Sequence, residues 1–181
     1  MTTRSMRISS GQRGAKRWDK KNHPPPGEPW VWLTCAMLEC PAWIALTAPA
    51  RRIIDRIVIE HMHHAGSMNG ELIVTYDDFE KYGISRKAIR TAIDIAQALG
   101  FIEVTFPGVR SHGAARRPSQ YALTWLPQID GSDPTNRWKA ITSKEQAEQI
   151  IVAVHDRKLR RKLNGPSGVN DGCKRAPSQD I

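Results

Sequence analysis

One short segment gathers hydrogen-bond donors at the start of a predicted helix. Residues 85–91 contain five side chains that can donate such bonds, namely Ser85, Arg86, Lys87, Arg90 and Thr91. An arginine can donate two hydrogen bonds to one guanine, and serine and threonine hydroxyls reach either bases or phosphates. The N-terminus of a helix also favours a nearby phosphate. These residue types at this spacing indicate contact with a nucleic acid.

A second group of cations lies further along, in a polar loop of a predicted hairpin. The loop spans about residues 106–120 and carries Arg110, Arg116 and Arg117. Arginines on such a loop can lie along a phosphate backbone or enter a minor groove. We expect the three arginines to add contacts to those of the helix.

Other reactive residues form no recognisable catalytic or metal-binding pattern. His61, His63 and His64 cluster near a predicted helix end, where histidines suit the helix dipole, and no CxxC pair or zinc-ligand spacing accompanies them. Asp77 and Asp78 fall in the first turn of a helix, where the dipole stabilises acids. The sequence has no glycine-rich phosphate loop and no nucleophile elbow. We therefore expect no enzymatic activity, no metal and no cofactor.

Two helices are predicted to precede the donor segment. The first begins at the N-cap Thr47 and ends near Gly66, and its apolar residues recur every three or four positions. A short strand over 71–75 follows. The second helix runs from Tyr76 to Tyr82, with Thr75 and Asp78 as a capping box, and Gly83 stops it.

The donor segment itself opens a third helix, the candidate recognition helix, over residues 85–99. Ser85 is its predicted N-cap and Gly100 its terminator. Its apolar stripe comprises Ile89, Ile93, Ala96 and Leu99, and the opposite face is predicted to comprise Arg86, Lys87, Arg90, Thr91, Asp94 and Gln97. Asp94 lies four residues after Arg90, a spacing at which the two can pair. Alternating strands over 101–105 and 121–125 complete the hairpin.

The ends of the chain carry most of its net charge of +9. Residues 1–29 have seven Lys and Arg against two acids, whereas residues 41–127 have ten against eight. Basic ends on a near-neutral centre favour flexible arms that contact phosphates, or tails that only aid solubility. We expect disorder over 1–29, which includes three consecutive prolines, and over 164–181; residues 30–46 could form a short helix or an extended lead-in.

A last helix is predicted within residues 128–163, after a polar linker. Ser143 and Gln146 form its capping box, and Ala147, Ile150, Ile151 and Val154 give it an apolar face. Its end is strongly basic, with Arg157, Lys158, Arg160, Arg161 and Lys162. Two interpretations remain open: the helix packs on the domain or on a second copy in a homodimer, or its basic end contacts DNA.

Residues 42–127 resemble the winged helix-turn-helix proteins. The run NGELIVTYDDFEKYGISRKAIRTAIDIAQALGFIEVT, followed by a basic loop and YALTWLP, is especially similar to small winged-helix proteins of bacterial mobile elements. It also resembles the N-terminal domains of phage and plasmid replication organisers. The resemblance implies an α+β fold of three helices and a small antiparallel wing, here over residues 30–127.

The sequence therefore predicts a protein that binds double-stranded DNA and regulates transcription. The alternatives are a replication initiation or organiser protein of a phage or plasmid, with replication proteins as partners, and a winged-helix protein-interaction module. The cysteines Cys35, Cys40 and Cys173 form no disulfide framework, and no apolar run approaches the ~20 residues that span a bilayer. No secretory signal is recognisable at the basic N-terminus, so we expect a cytoplasmic, nucleoid-associated protein without membrane contact.

Overall fold

The computed structural model of this chain describes residue 24, residues 27–108 and residues 117–163, apart from the side chains of residues 161 and 162. Arg110 and Arg116, and nearly all of the two ends predicted to be disordered, lie outside the described residues. Predictions about them stay predictions.

Within the described ranges the architecture is α+β, with six α-helices and one small antiparallel sheet. The helices are α1 (Cys35–Leu38), α2 (Pro41–Ile44), α3 (Ala48–His63), α4 (Tyr76–Lys81), α5 (Arg86–Ala98) and α6 (Lys144–Leu163). The strands are β1 (Leu72–Ile73), β2 (Ile102–Phe106) and β3 (Gln120–Leu123), in the spatial order β1-β3-β2. A 3₁₀ turn over Arg137–Ala140 precedes α6. This order is compatible with a winged helix.

Helix α3 forms largely as its sequence pattern predicts. The Thr47 hydroxyl accepts a hydrogen bond from the Ala50 N–H at 3.4 Å, and a proline in the first turn needs no partner for its missing N–H. The predicted stripe is buried from Ala50 through Ile57. Near the C-terminus the buried face shifts, because His61 is buried while Met62 is only half-buried. The apolar stripe of α3 is thus fully buried from Ala50 through Ile57 and only half-buried at Met62.

Helices α4 and α5 are joined by a tight turn over residues 82–85. The Thr75–Asp78 capping box is present in both directions at the start of α4, as predicted. Gly83 has a φ of +87°, which a side chain would disfavour. The Arg52 Nη1 of α3 donates a hydrogen bond of 2.8 Å to the Gly83 carbonyl, so the turn is tied to the first long helix.

The sheet is smaller than the sequence predicts, and its centre is β3. Strand β1 has two residues instead of five, and it pairs antiparallel with β3 through Leu72 and Tyr121. Strands β2 and β3 pair with an irregularity between Val104 and Phe106. The buried Asn69 side chain accepts from the Leu123 N–H at 2.7 Å and donates to the Leu123 carbonyl at 2.9 Å, which fixes the end of β3.

Residues 30–46 contain two short helices, α1 and α2, which settles the alternative that the sequence left open. Trp43 of α2 packs edge-on against Phe101, with ring centres 5.1 Å apart, and Phe101 stacks on Trp138. Helix α6 then packs on α2 and α5, with Ala147 and Val154 in the common core. Among the described residues, one hydrophobic core thus takes members from Met37 to Val154.

The Ser143 hydroxyl accepts from the Gln146 N–H at 3.2 Å at the start of α6, as the predicted capping box requires. The Gln146 side chain instead accepts from the Thr142 N–H, one residue earlier than predicted. None of the helices in the described ranges is long and apolar enough to cross a membrane.

Candidate nucleic-acid interface

The N-terminal half of α5 presents most of the predicted donors to solvent. Ser85, Arg86, Lys87 and Arg90 are exposed, while Ile89 between them is fully buried and anchors the helix. The Ser85 backbone is extended as at an N-cap, but its hydroxyl makes no capping hydrogen bond. That hydroxyl, together with the first N–H groups of the helix, is available to an incoming acceptor.

Thr91 does not lie on the exposed face, so its predicted placement is wrong. Its side chain is only 8% exposed, and its hydroxyl has no hydrogen-bond partner among the described residues. The reason is that α5 packs against α6 as well as against α3, α4 and β2. The buried arc of the helix is therefore wider than the apolar stripe alone indicates. Thr91 is not retained in the candidate interface.

Arg86 is held by two carboxylates of α4. Its Nη1 lies 2.6 Å from the Asp77 Oδ1 and 2.9 Å from the Glu80 Oε2. The hydrogen bonds that Arg86 donates to Asp77 and to Glu80, in that order of effect, raise the pKa of Arg86 further above its already high usual value. These contacts cross the α4–α5 turn and position the guanidinium. They also place two negative charges where a phosphate would approach.

Arg90 is oriented by its own helix, as the spacing predicts. Its Nε lies 3.2 Å from the Asp94 Oδ1 and 3.3 Å from the Oδ2. The charge of Asp94 is the main cause that raises the pKa of Arg90, and Tyr76 contributes a weaker effect in the same direction. The contact with Asp94 engages Nε, and the Tyr76 hydroxyl also interacts with this guanidinium. The terminal nitrogens are the donors that another acceptor would meet.

A buried tyrosine lies close to this arginine. Burial raises the pKa of the Tyr121 hydroxyl to about 12, while a hydrogen bond with Ser119 and the charge of Arg90 oppose that rise. Tyr121 therefore stays protonated at neutral pH. It belongs to the core, with its ring edge-on to Phe79.

The α4–α5 unit is balanced in charge. Residues 76–98 contain four basic side chains, Lys81, Arg86, Lys87 and Arg90, and four acidic ones, Asp77, Asp78, Glu80 and Asp94. Lys87 makes no ion pair with any described residue. Attraction of a polyanion to this unit would thus depend on Lys87, on displacement of carboxylates from Arg86 and on charges elsewhere in the chain.

Only the base of the predicted wing is described. The Arg117 guanidinium lies over the Phe106 ring, with its central carbon 4.3 Å from the ring centre. The Gly108 N–H donates to the Ser119 hydroxyl at 2.9 Å, which closes the base of the loop. Of the three predicted wing arginines, Arg117 is the one that lies within the described residues, and its side chain stacks on Phe106 of β2.

Sequence reasoning missed the contacts that position these groups from neighbouring elements. Glu80 and Asp77 precede Arg86 by six and nine residues across a turn, and no periodicity within one helix links them. The bond from Arg52 to Gly83 spans 31 residues. Among the described residues no group of three or more His, Cys, Asp or Glu side chains could hold a metal ion. Comparison of the chain with protein-family models, with curated proteins and with solved structures finds no match.

Proposed function

We propose that this chain binds double-stranded DNA as a winged helix-turn-helix protein, with α5 in the major groove. The observation that carries the proposal is the exposed row Ser85, Arg86, Lys87 and Arg90, at the N-terminal end of a helix whose opposite side is buried. Helices α3 and α4 support α5 through the Arg52–Gly83 hydrogen bond and the α4–α5 turn. In helix-turn-helix docking it is this end of the second helix that meets base edges.

The basic side chains have two different roles in the proposed complex, contact with a base and contact with phosphates. Arg90 is pre-oriented by Asp94 and contacts a base, because an arginine held in one geometry can form a two-pronged bond to guanine. Lys87 and Arg86 contact phosphates near the helix N-terminus. Arg117, with Arg110 and Arg116 on the wing, contacts the backbone next to the groove.

The biological role that we propose for this binding is regulation of transcription. A replication organiser of a phage or plasmid would use the same domain, and the location of the bound sites separates the two roles. Sites at promoters with changed transcription support the regulator. Repeated sites within one replication origin support the organiser.

The experiment that tests DNA binding is selection of bound sequences from a pool of random duplexes at near-physiological salt. We expect enrichment of one motif by the full chain. Recovery of duplexes without an enriched motif would contradict sequence-specific reading by α5. Failure to recover duplexes above a no-protein control would contradict DNA binding altogether.

A second candidate function is favoured by one specific observation, the balance of four basic and four acidic side chains over residues 76–98. A neutral surface with paired charges suits docking of another protein better than it suits a polyanion. If the chain is an interaction module, replacing Arg86, Lys87 and Arg90 by Ala leaves any duplex affinity almost unchanged. Under the DNA-binding proposal the same replacement removes motif selection.

A further inference from the structure

We propose that the C-terminal part of α6, residues 155–163, is a second nucleic-acid contact that grips phosphates without reading sequence. The choice of nucleic acid as the occupant rests on the proposed function. Its described side chains are exposed, its sequence is strongly basic, and it has few apolar residues.

Helix α6 has two parts with different surroundings. In the first part Ala147 and Val154 are buried in the core, and Ile150 and Ile151 pack against it. From His155 to Arg160 every side chain is exposed, and so is Leu163. Six consecutive helical residues cover more than one full turn, so no side of the helix over residues 155–160 is packed against the described part of the domain. Helix α6 therefore extends beyond the hydrophobic core against which its first part packs.

The projecting part is strongly basic. Residues 155–163 contain five Lys and Arg and one Asp. Arg157, Lys158 and Arg160 make no ion pair within the described part of the chain. These three side chains therefore carry uncompensated charge into solvent.

The helix dipole alone does not explain this charge. Cations stabilise a helix C-terminus mainly within its last turn. Arg157 and Lys158 lie six and five residues before Leu163, which is more than one turn from the end of the helix. Because successive residues are about 100° apart around the axis, Arg157 and Arg160 lie about 60° apart on one side of the helix, and Lys158 lies about 100° from Arg157. The three side chains thus fall within about half of the circumference, so a linear polyanion that lies along this side can contact them.

The composition of this part favours a nucleic acid over the other occupants. A helix that lies on a membrane needs a broad apolar face, whereas Leu159 and Leu163 are the two apolar residues among the nine. A second copy of the same segment would bring like charges together, which is unfavourable. Phosphates spaced along a duplex match the closely spaced cations and release counterions when they bind.

The test compares the full chain with a variant that carries Arg157→Gln, Lys158→Gln and Arg160→Gln. The matched control carries Arg157→Lys, Lys158→Arg and Arg160→Lys, which keeps the charge at every position. Affinity for a selected duplex and for a scrambled duplex is measured across a salt series, and circular dichroism checks the helical content. The three side chains are exposed, so we expect the fold to be unchanged.

The glutamine variant should lose about 10- to 100-fold in affinity for both duplexes at near-physiological salt, and the slope of log affinity against log salt should fall by about 2–3. The control should behave as the parent chain. An unchanged slope in the glutamine variant would overturn this inference while leaving sequence reading by α5 intact. Loss of binding to vesicles that contain phosphatidylserine, with duplex binding unchanged, would overturn it in favour of a membrane. Failure of the parent chain to bind duplex would overturn this inference and the proposed function together.

Discussion

The Arg86 Nη1 lies 2.6 Å from the Asp77 Oδ1, and this contact joins the first turn of α5 to the first turn of α4. Glu80 contacts the same nitrogen from the next turn of α4. The side chains of this cluster are half-exposed or more, so the pairs contribute little to stability, of the order of 0–1 kcal/mol each. For the proposed phosphate contact they matter more, because two carboxylates already occupy the Arg86 guanidinium.

Replacing Asp77 by Asn should strengthen binding to duplex DNA of any sequence. The variant frees one side of the Arg86 guanidinium and removes one negative charge near the proposed phosphate contact. We expect about a 3- to 10-fold gain in affinity for a scrambled duplex at near-physiological salt. Glu71→Gln is the matched control, since it removes one exposed acid outside the α4–α5 unit. Equal gains in the two variants would contradict a local role for Asp77.

Gly100→Ala should destabilise the fold more than Gly131→Ala, although both glycines have nearly the same positive φ, +81° and +80°. A Cβ at Gly100 would lie 2.6 Å from the Trp138 backbone nitrogen, whereas a Cβ at Gly131 would meet no atom within 4 Å. The left-handed backbone alone costs about 1–2 kcal/mol for a residue with a Cβ. The clash should raise the total cost at Gly100 to about 2–5 kcal/mol. Urea unfolding of the two variants measures the difference, and similar midpoints would contradict the close packing of Trp138.

The unfolding free energy should fall as the pH is lowered from 8 to 5, in part through His61. Burial, and next the charge of His64, lowers the pKa of His61 below its usual 6.5. Between the pKa of His61 in the folded state and its usual value of 6.5 in the unfolded state, the unfolded chain binds more protons than the folded chain does. The contribution of neutral His61 to the unfolding free energy is therefore complete above about pH 6.5. It is lost as the pH falls through the folded-state pKa. His61→Leu should flatten this part of the profile, measured by urea unfolding at each pH. Parallel profiles for the two proteins would contradict a neutral, buried His61.

Local signals in the sequence predicted most helix ends correctly. The Thr75–Asp78 capping box and the Thr47 N-cap depend on side chains within three residues of each other, and the structure contains both. Gly100 lies just past Leu99, the C-cap of α5, with the positive φ that its role as terminator requires. Helix ends of this kind can be predicted from the sequence because the residues that form them are neighbours in the chain.

Features that depend on residues far apart in the sequence could not be predicted from it. Thr91 follows the polar pattern of α5, yet it is buried because α5 is packed by α3, α4, α6 and β2, which together cover more of the helix than its apolar stripe. Strand β1 is shorter than the strand predicted over 71–75, since only Leu72 and Ile73 pair with β3. The exposure of Arg86 was predicted, but its engagement by Asp77 and Glu80 was not, because the pairing depends on the angle between two helices. For the candidate interface, the sequence therefore predicted which side chains are present but not how other elements bury or pair them.

Base reading by α5 is tested most directly with Arg90. Selection from random duplexes is carried out in parallel with the parent chain, with Arg90→Gln and with the control Lys144→Gln, which removes one exposed cation from the start of α6. We predict that the parent and the control enrich the same motif. The Arg90 variant should lose preference at one or two positions of that motif, which corresponds to about 1–3 kcal/mol of discrimination. An identical motif from the Arg90 variant, or a motif from none of the three proteins, would contradict the account.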